Sequence, residues 1–346
     1  MFHNYIVRDN FTKYNPANQK RRTTMKKELK LIKMSSVEVE QVKWIWYPYI
    51  PCGKVTIIQG DPGEGKTTFV LAMVALLTKG EPLLESEAGS EPINVIYQTA
   101  EDGLADTIKP RLLAAGTNCE KVLVIDESEA ELTLSDKRLE QAIKETGAKL
   151  IVLDPLQAYL GDGVDMHRAN EIRPIFKRLC LMAEQTGCAV ILIGHMNKMQ
   201  GAKSSYRGLG SIDFRAAARS VLVVGRLKDE PTIRIVAHDK SSLAPEGRSI
   251  AFALDPDNGF QWKGCCETSV DELLAGKGSL LSKTGQAENL LRKLLQDEPV
   301  ATEVILQKAQ ELGISERTVN IAKKSLNIRA EKMGGRWFWK FPESRV

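Results

Sequence analysis

No stretch of this sequence is long and apolar enough to cross a membrane. The longest uninterrupted apolar run, residues 69–77, has nine residues, whereas a spanning helix needs about 20. The first residues are polar and basic with no apolar segment behind them, so no secretory leader is expected and a cytoplasmic location follows. Cysteines are few and poorly spaced for pairing. Cys52, Cys119, Cys180, Cys188, Cys265 and Cys266 include no C-x-x-C pair, and the adjacent Cys265 and Cys266 are awkward partners. A disulfide framework and a zinc site are both excluded, leaving reduced, buried thiols. There is no internal repeat and no low-complexity tract. The H-R-D and D-F-G set of protein kinases is missing, as is any primase-like polymerase site.

What is there is an ordinary globular composition, 43% hydrophobic and 27% charged over 346 residues, enough for about two domains. The net charge of +4 is unevenly spread. Residues 1–33 carry nine Lys or Arg against two Asp or Glu, and residues 281–346 carry twelve against eight, so the middle is net acidic. Basic ends on an acidic core suit a protein whose ends meet a polyanion; a solvated basic tail gives the same count.

Residues 1–35 lack sustained periodicity and read as a basic N-terminal tail. In the central block, 36–262, short Val- and Ile-rich segments at 55–59, 93–99, 122–126, 150–154 and 190–194 have the composition of fully buried strands. Helical patterns at 66–78, 104–115, 137–146 and 169–186 lie between them. This alternation predicts an α/β domain, a mainly parallel sheet with helices on both faces. Segments 220–224, 232–238 and 250–254 should extend it at one edge as hairpins. Residues 263–284 are rich in Gly and Ser and read as a linker, and 285–346 as a separate small domain.

Gly60-Asp61-Pro62-Gly63-Glu64-Gly65-Lys66-Thr67 fits G-x-x-x-x-G-K-[ST], with a buried strand before it and an apolar helix after it. Glycines let backbone amides close around phosphate oxygens, and the helix N-terminus adds partial positive charge. Lys66 is expected to reach the β- and γ-phosphates of ATP, Thr67 to ligate Mg2+, and Thr68 to help hold the α-phosphate. The apolar run 150–153 ends in Asp154, placed either to hold the metal through water or to cap the turn before Pro155. Glu101 follows the strand at 93–99, where a carboxylate can polarise an attacking water, with Asp102 as its rival. His195 ends the strand at 190–194, where its ring can sense the γ-phosphate.

The order of these motifs resembles the RecA/DnaB superfamily, most closely plasmid RepA-type hexameric helicases and related mobile-element ATPases. Besides the P-loop, the resemblance rests on Gln98-Thr99-Ala100-Glu101-Asp102-Gly103, Asp154-Pro155-Leu156, Gly194-His195-Met196-Asn197-Lys198 and Tyr206-Arg207-Gly208-Leu209-Gly210-Ser211. It covers about residues 40–262. The resemblance implies a RecA-like core, a catalytic Glu101, magnesium held with help from Asp154, a sensor at His195 and assembly into a homo-oligomeric ring. It also implies DNA-facing loops at 161–170 and 197–210, the second carrying Lys198, Lys203 and Arg207. A cationic finger from a neighbouring subunit would complete each site, with Arg219 as first candidate and Arg215 as second. DnaB-like helicases carry an arginine two residues after a lysine corresponding to Lys240; here that position is Ser242, a departure that puts a DnaB-style finger in doubt.

The C-terminal segment reads as three helices, 286–296, 301–312 and 316–326, with Ser315 as N-cap of the third and Ile314 and Val319 as a hydrophobic staple. A two-stranded hairpin at 328–340 turning at Gly334-Gly335 follows. The whole resembles a winged helix. Its third helix would present Arg317, Asn320, Lys323 and Lys324, and its wing Arg336, to a DNA groove; a protein-binding winged helix whose aromatic wing packs on its own core is the alternative. The expected activity is that of a DNA-acting ATPase motor, a helicase or single-strand translocase. The alternatives are a non-helicase ATP-dependent DNA-binding regulator and an ATPase switch that binds proteins.

Overall fold

In a computed structural model of the chain, the apolar segments of the central block assemble into one nine-stranded sheet. The structure describes residues 29, 31–86, 88–196, 212–276, 278–296 and 298–342. The chain divides into two units, Met1–Gln41 and Val42–Val346. In the first, the described residues are exposed and hold one 3-10 turn, Met34–Ser36; most of the expected basic tail lies outside them.

The second unit opens with a small hairpin of β1 (Trp44–Trp46) and β2 (Ile50–Pro51). Six strands then run parallel: β3 (Val55–Gly60), β4 (Val95–Thr99), β5 (Val122–Leu123), β6 (Leu150–Asp154), β7 (Ala189–His195) and β8 (Ser220–Arg226). Their spatial order is β8-β3-β7-β6-β4-β5. Beyond β8, the strands β9 (Ile233–Ser241), β10 (Ser249–Asp255) and β11 (Gly259–Cys266) continue the sheet antiparallel. The α/β architecture expected from strand–helix alternation is the one observed.

Period-two alternation explains why the central strands read as unbroken apolar runs: each feeds a core on both faces. Leu150 and Val152 of β6 join one cluster with α1 (Lys66–Lys79) and α2 (Lys109–Ala114), while Ile151 and Leu153 join another with α3 (Lys137–Thr146) and α4 (Ala169–Thr186). α5 (Ile212–Ala217) packs against α4 through an edge-on contact of Phe214 with Phe176. α1 is apolar on nearly every side because it is covered twice, by the sheet and by aromatics. Phe69 lies 6.2 Å from Trp46, 5.6 Å from Phe252 and 5.7 Å from Trp262, centroid to centroid. Each large side chain buried this way contributes roughly 1.5–3 kcal/mol, so the helix behind the P-loop is among the best-anchored elements of the fold.

Three expectations need correction. The single helix predicted at 104–115 is instead a π-helical turn, Leu104–Ile108, running into α2. The strand predicted at 122–126 pairs only over Val122–Leu123; Ile125 N–H is taken by the Gln98 side chain at 2.5 Å. The first half of the segment read as linker is ordered into the core. β11 runs through Cys266, and α6 (Val270–Leu274) starts on a capping box between Ser269 and Glu272. Val270, Leu273 and Cys266 then pack with Ile235 and Ala251 of β9 and β10. No helix among the described residues is long and apolar enough to cross a membrane, and all six cysteines are free.

Residues 283–340 build a core of their own. α7 (Lys283–Leu294), β12 (Val300–Ala301), α8 (Thr302–Glu311), α9 (Glu316–Ser325), β13 (Arg329–Met333) and β14 (Arg336–Lys340) enclose Leu291, Ile305, Ile314, Val319 and Trp339. Ser315 caps α9, its hydroxyl accepting from Thr318 N–H at 3.2 Å. β14 pairs with both β12 and β13.

His238 in β9 is 6% exposed. Its Nδ1 accepts from Gly247 N–H at 2.9 Å, which leaves Nε2–H to donate to Ser220 Oγ at 3.1 Å, so the neutral ring is fully used. Burial pushes its pKa down to about 4. Between that value and the ordinary 6.5 the unfolded chain binds a proton that the folded chain refuses, so stability is lost as pH falls through this window. Urea melts of the wild type should lose about 2 kcal/mol from this residue between about pH 7 and pH 5. His238→Gln should show a correspondingly flatter profile; equal slopes in the two proteins would refute the assignment.

Candidate active site

The C-terminal edge of the parallel strands gathers the sequence-predicted groups. β3 ends at Gly60, so close to β8 that a Cβ there would stand 2.3 Å from Val224 O. The loop then needs left-handed backbone at Gly63 (φ +77°) and at Gly65 (φ +85°), the N-cap of α1, a conformation that favours glycine. First-turn amides of a helix lack acceptors of their own and, with the helix dipole, seat an anion. Asp61, Pro62 and Gly63 are exposed on the loop, while Glu64, Gly65, Thr67 and Thr68 are half-buried around it.

Lys66 is 5% exposed. Its Nζ donates to Gly60 O at 3.0 Å and Asp61 O at 2.9 Å. Burial pulls its pKa down, and Asp154, Glu64, Asp61 and Glu101 pull it back up. Asp154, at the end of β6, accepts from Thr67 Oγ1 at 2.6 Å and from Tyr97 OH at 2.9 Å. Burial raises its pKa, against the hydrogen bonds from Thr67 and Tyr97 and the charge of Lys66. Thr99 stands beside Asp154 in the β4–β6 register. Among the described residues no three His, Cys, Asp or Glu side chains converge. Thr67 and Asp154 supply two oxygens, which fits Mg2+, an ion that takes one or two protein oxygens and fills its shell with phosphate and water. The glycine cradle, the buried ammonium and this oxygen pair together fit a magnesium nucleotide.

His195 closes β7 opposite Gly60 in register. Its Nδ1 lies 3.4 Å from Lys66 Nζ and its Nε2 3.9 Å from Glu101 Oε2. As ammonium can only donate, Nδ1 is the acceptor and the ring proton sits on Nε2, toward Glu101. The imidazole thus stands between the P-loop lysine and the carboxylate after β4. Asp102 is otherwise engaged, accepting from Arg111 Nη1 at 2.9 Å.

On the other flank, Glu64 of the loop is held by two arginines that no sequence motif marks. Arg226, ending β8, donates to Glu64 Oε1 at 2.9 Å and to Gly63 O at 3.3 Å; Arg234 of β9 has its Nε 3.8 Å from Glu64 Oε2. An acid inside an anion-binding loop needs such neutralisation, and that requirement is the one signal the sequence offered. Tyr97 was likewise missed, hidden inside an apolar strand.

The remaining predicted residues lie elsewhere. Arg219 is exposed just before β8, its N–H bonded to Val55 O at 2.9 Å. It therefore sits at the opposite edge of the sheet, about 17 Å of strand from the P-loop. Arg215 is committed within the chain, donating to Asp239 Oδ2 at 2.6 Å and to Asp239 O at 3.1 Å. Lys198, Lys203 and Arg207, with the whole of the 197–210 loop, lie outside the described residues. In the 161–170 loop, Arg168 pairs with Asp165 and Glu171. Arg317, Asn320 and Lys324 are exposed on α9 and Arg336 on β14; Lys323 is half-buried, its Nζ 4.2 Å from the Trp339 ring centroid.

The AAA domain family matches residues 20–201. DNA repair protein RadA of Halalkalibacterium halodurans is 27% identical over 152 residues, 43% of this chain and 29% of that protein. The RadA of Brucella abortus is 28% identical over 149 residues, 42% of this chain and 29% of that protein. The chain thus spans less than a third of the length of these relatives. Among solved structures, a KaiC-like protein from Pyrococcus horikoshii OT3 has a TM-score of 0.46 at 18% identity, covering 65% of this chain and 99% of that one. Matched over more than half of its length, the chain belongs to the AAA domain family, as a P-loop ATPase on an α/β core with a mainly parallel sheet.

Proposed function

We propose that this chain is an ATP-hydrolysing motor that acts on DNA, a helicase or single-strand translocase of RepA or DnaB type working as a ring. The observation that carries the reading is the placement of His195. It touches Lys66 on one side and faces Glu101 on the other, and in the chain only Met196 separates it from the basic loop 197–210. A group between the phosphate lysine and the water-orienting carboxylate is positioned to pass the state of the γ-phosphate to that loop.

In this mechanism the P-loop amides and Lys66 hold the phosphates, and Thr67 and Asp154 hold Mg2+. The ion, when bound, neutralises charge on the transferring phosphoryl group. Tyr97 fixes the Asp154 carboxylate. Glu101 orients the attacking water and accepts its proton. Arg219 stands too far from its own P-loop to serve it, so its role as a finger requires a second copy of the chain; Arg215, tied to Asp239, is the weaker candidate. The C-terminal module has the element order of a winged helix, with Arg317, Asn320 and Lys324 exposed on α9 and free of ion pairs among the described residues. That face favours a second reading, in which the chain is an ATP-dependent regulator bound to duplex DNA. On either reading the ATPase domain runs from about residue 42 through α6, with the module beginning at α7.

ATP hydrolysis measured with and without single-stranded DNA separates these readings. A several-fold rise with single strands is expected of a motor. A rate indifferent to single strands, with retention on one duplex sequence, would remove the motor reading in favour of the regulator. Hydrolysis indifferent to all DNA, with no DNA retained, would leave a switch that binds proteins.

A further inference from the structure

We infer that the slot beneath the β13–β14 hairpin takes an unpaired nucleobase of a single nucleic-acid strand, stacked on Trp337. The inference rests on the reading that the C-terminal module meets DNA, and adds to it which form of nucleic acid is held and by which group.

Trp337 and Trp339 lie two residues apart on β14 and so share a face of the hairpin. Their fates differ. Trp339 is 4% exposed, closed into the module's core with Lys323 over its ring. Trp337, next to the Gly334-Gly335 turn, is 55% exposed. The alternative in which the aromatic wing packs on its own core describes Trp339 but not Trp337. Trp337 is not loosely placed: its carbonyl accepts from Thr302 Oγ1 at 3.1 Å, tying the strand to the start of α8.

Trp337 and Trp339 line a cavity of about 540 Å³ with Lys323, Arg336, Glu303 and Thr302, within the range of about 300–1,000 Å³ usual for small-ligand sites. Lys332 is the direct cross-strand partner of Trp337, and opposite residues of an antiparallel pair share a face. Lys332 therefore stands beside the exposed indole on the same face, and Arg336 lines the same cavity; both are exposed and without ion pairs among the described residues. A flat aromatic wall near cations matches the two parts of a nucleotide, a π-faced base and a phosphate. The Glu303 carboxylate is an acceptor for an N–H on the edge of the base. In an intact duplex each base is already stacked on its neighbours, so an aromatic platform of this kind is satisfied by an unpaired base.

The test uses the full chain without nucleotide, titrated with an oligothymidylate and, separately, with a blunt duplex of equal length. Stacking should quench tryptophan emission in the wild type, and the part carried by Trp337 should vanish in Trp337→Phe while affinity is largely kept. Trp337→Ala should weaken single-strand binding roughly tenfold, the effect of one stacked base, and leave duplex binding within twofold. Thermal melting checks that the exposed position is neutral for the fold. Single-strand binding with the same affinity in Trp337→Ala and the same quenching in Trp337→Phe would overturn the slot and leave the DNA-acting reading intact. Equal losses on single strand and duplex would overturn the preference for unpaired bases. A wild type that binds no nucleic acid would overturn both.

Discussion

Lys66→Ala should reduce ATP hydrolysis by about 10²–10³-fold or more without destabilising the folded chain. The argument is electrostatic. Lys66 is 5% exposed, its ammonium held by two loop carbonyls within 3.0 Å. Burial has already weakened its hold on its proton, and the surrounding carboxylates, Asp154 first, keep it charged. A cation so poorly solvated is preorganised for a polyphosphate, because the water it would shed on binding is mostly gone. Alanine leaves the glycine cradle and α1 in place, so residual nucleotide binding is expected while the charge that stabilises phosphoryl transfer is lost. The same desolvation means that the apo protein loses little with the lysine, and its melting temperature should be no lower than that of the wild type. Arginine is no rescue, since a planar fork cannot occupy the space of a point charge. Hydrolysis rates and binding of a fluorescent ATP analogue, measured beside thermal melts, test this. Hydrolysis within about tenfold of the wild type would sink the assignment.

The parts of this site that were legible in the sequence share one property: their chemistry is local. Gly60 to Thr68 announces itself because the strand, the glycines and the helix are contiguous. Asp154 and His195 were legible because each ends an apolar run that can only be a buried parallel strand. What could not be read depends on partners distant in the chain. Tyr97 meets Asp154 across 57 residues and Arg226 meets Glu64 across 162, and neither pair follows a spacing rule. β11 was lost because an edge strand is half-exposed: only Cys266 of its eight residues is buried, and Gly264, at φ +92°, breaks its regularity. Its two aromatics find their use elsewhere in the fold, Trp262 against Phe69 and Trp46 and Phe260 against Phe252, which no alternation pattern could foretell. α6 was lost through brevity, five residues being too few for helical periodicity, although its capping box was present in Ser269 and Glu272.

Glu101→Gln should leave nucleotide affinity near that of the wild type and lower the rate of hydrolysis by about 10²–10⁴-fold, the range of a general base. Glutamine keeps the size of the side chain and its contact with His195 but cannot take a proton. The comparison that gives this meaning is Asp102→Asn. The two acids are neighbours on the same turn, and the sequence left the choice between them open. Asp102 is occupied: its Oδ2 accepts from Arg111 at 2.9 Å, and its backbone N–H bonds Thr99 Oγ1 at 3.2 Å. The Glu101 side chain is 65% exposed, and among the described residues its Oε2 faces His195 Nε2 at 3.9 Å. A base must be free to meet its water, so the committed acid is the structural one, and Asp102→Asn should change the rate by no more than a few-fold. The exposure of Glu101 carries a further consequence. A carboxylate open to bulk solvent has no means of ordering one water in preference to others, so the isolated chain should be a slow enzyme. If a second copy of the chain closes this side, the specific rate should rise with protein concentration, and Arg219→Ala should abolish the rise while leaving the rate at high dilution unchanged. Rates for Glu101→Gln and Asp102→Asn in parallel decide the first point: a larger loss in Asp102→Asn would exchange the two roles. A specific rate independent of concentration over the range in which the chain associates would mean that each subunit completes its own site, and Arg219 would then have no part in it.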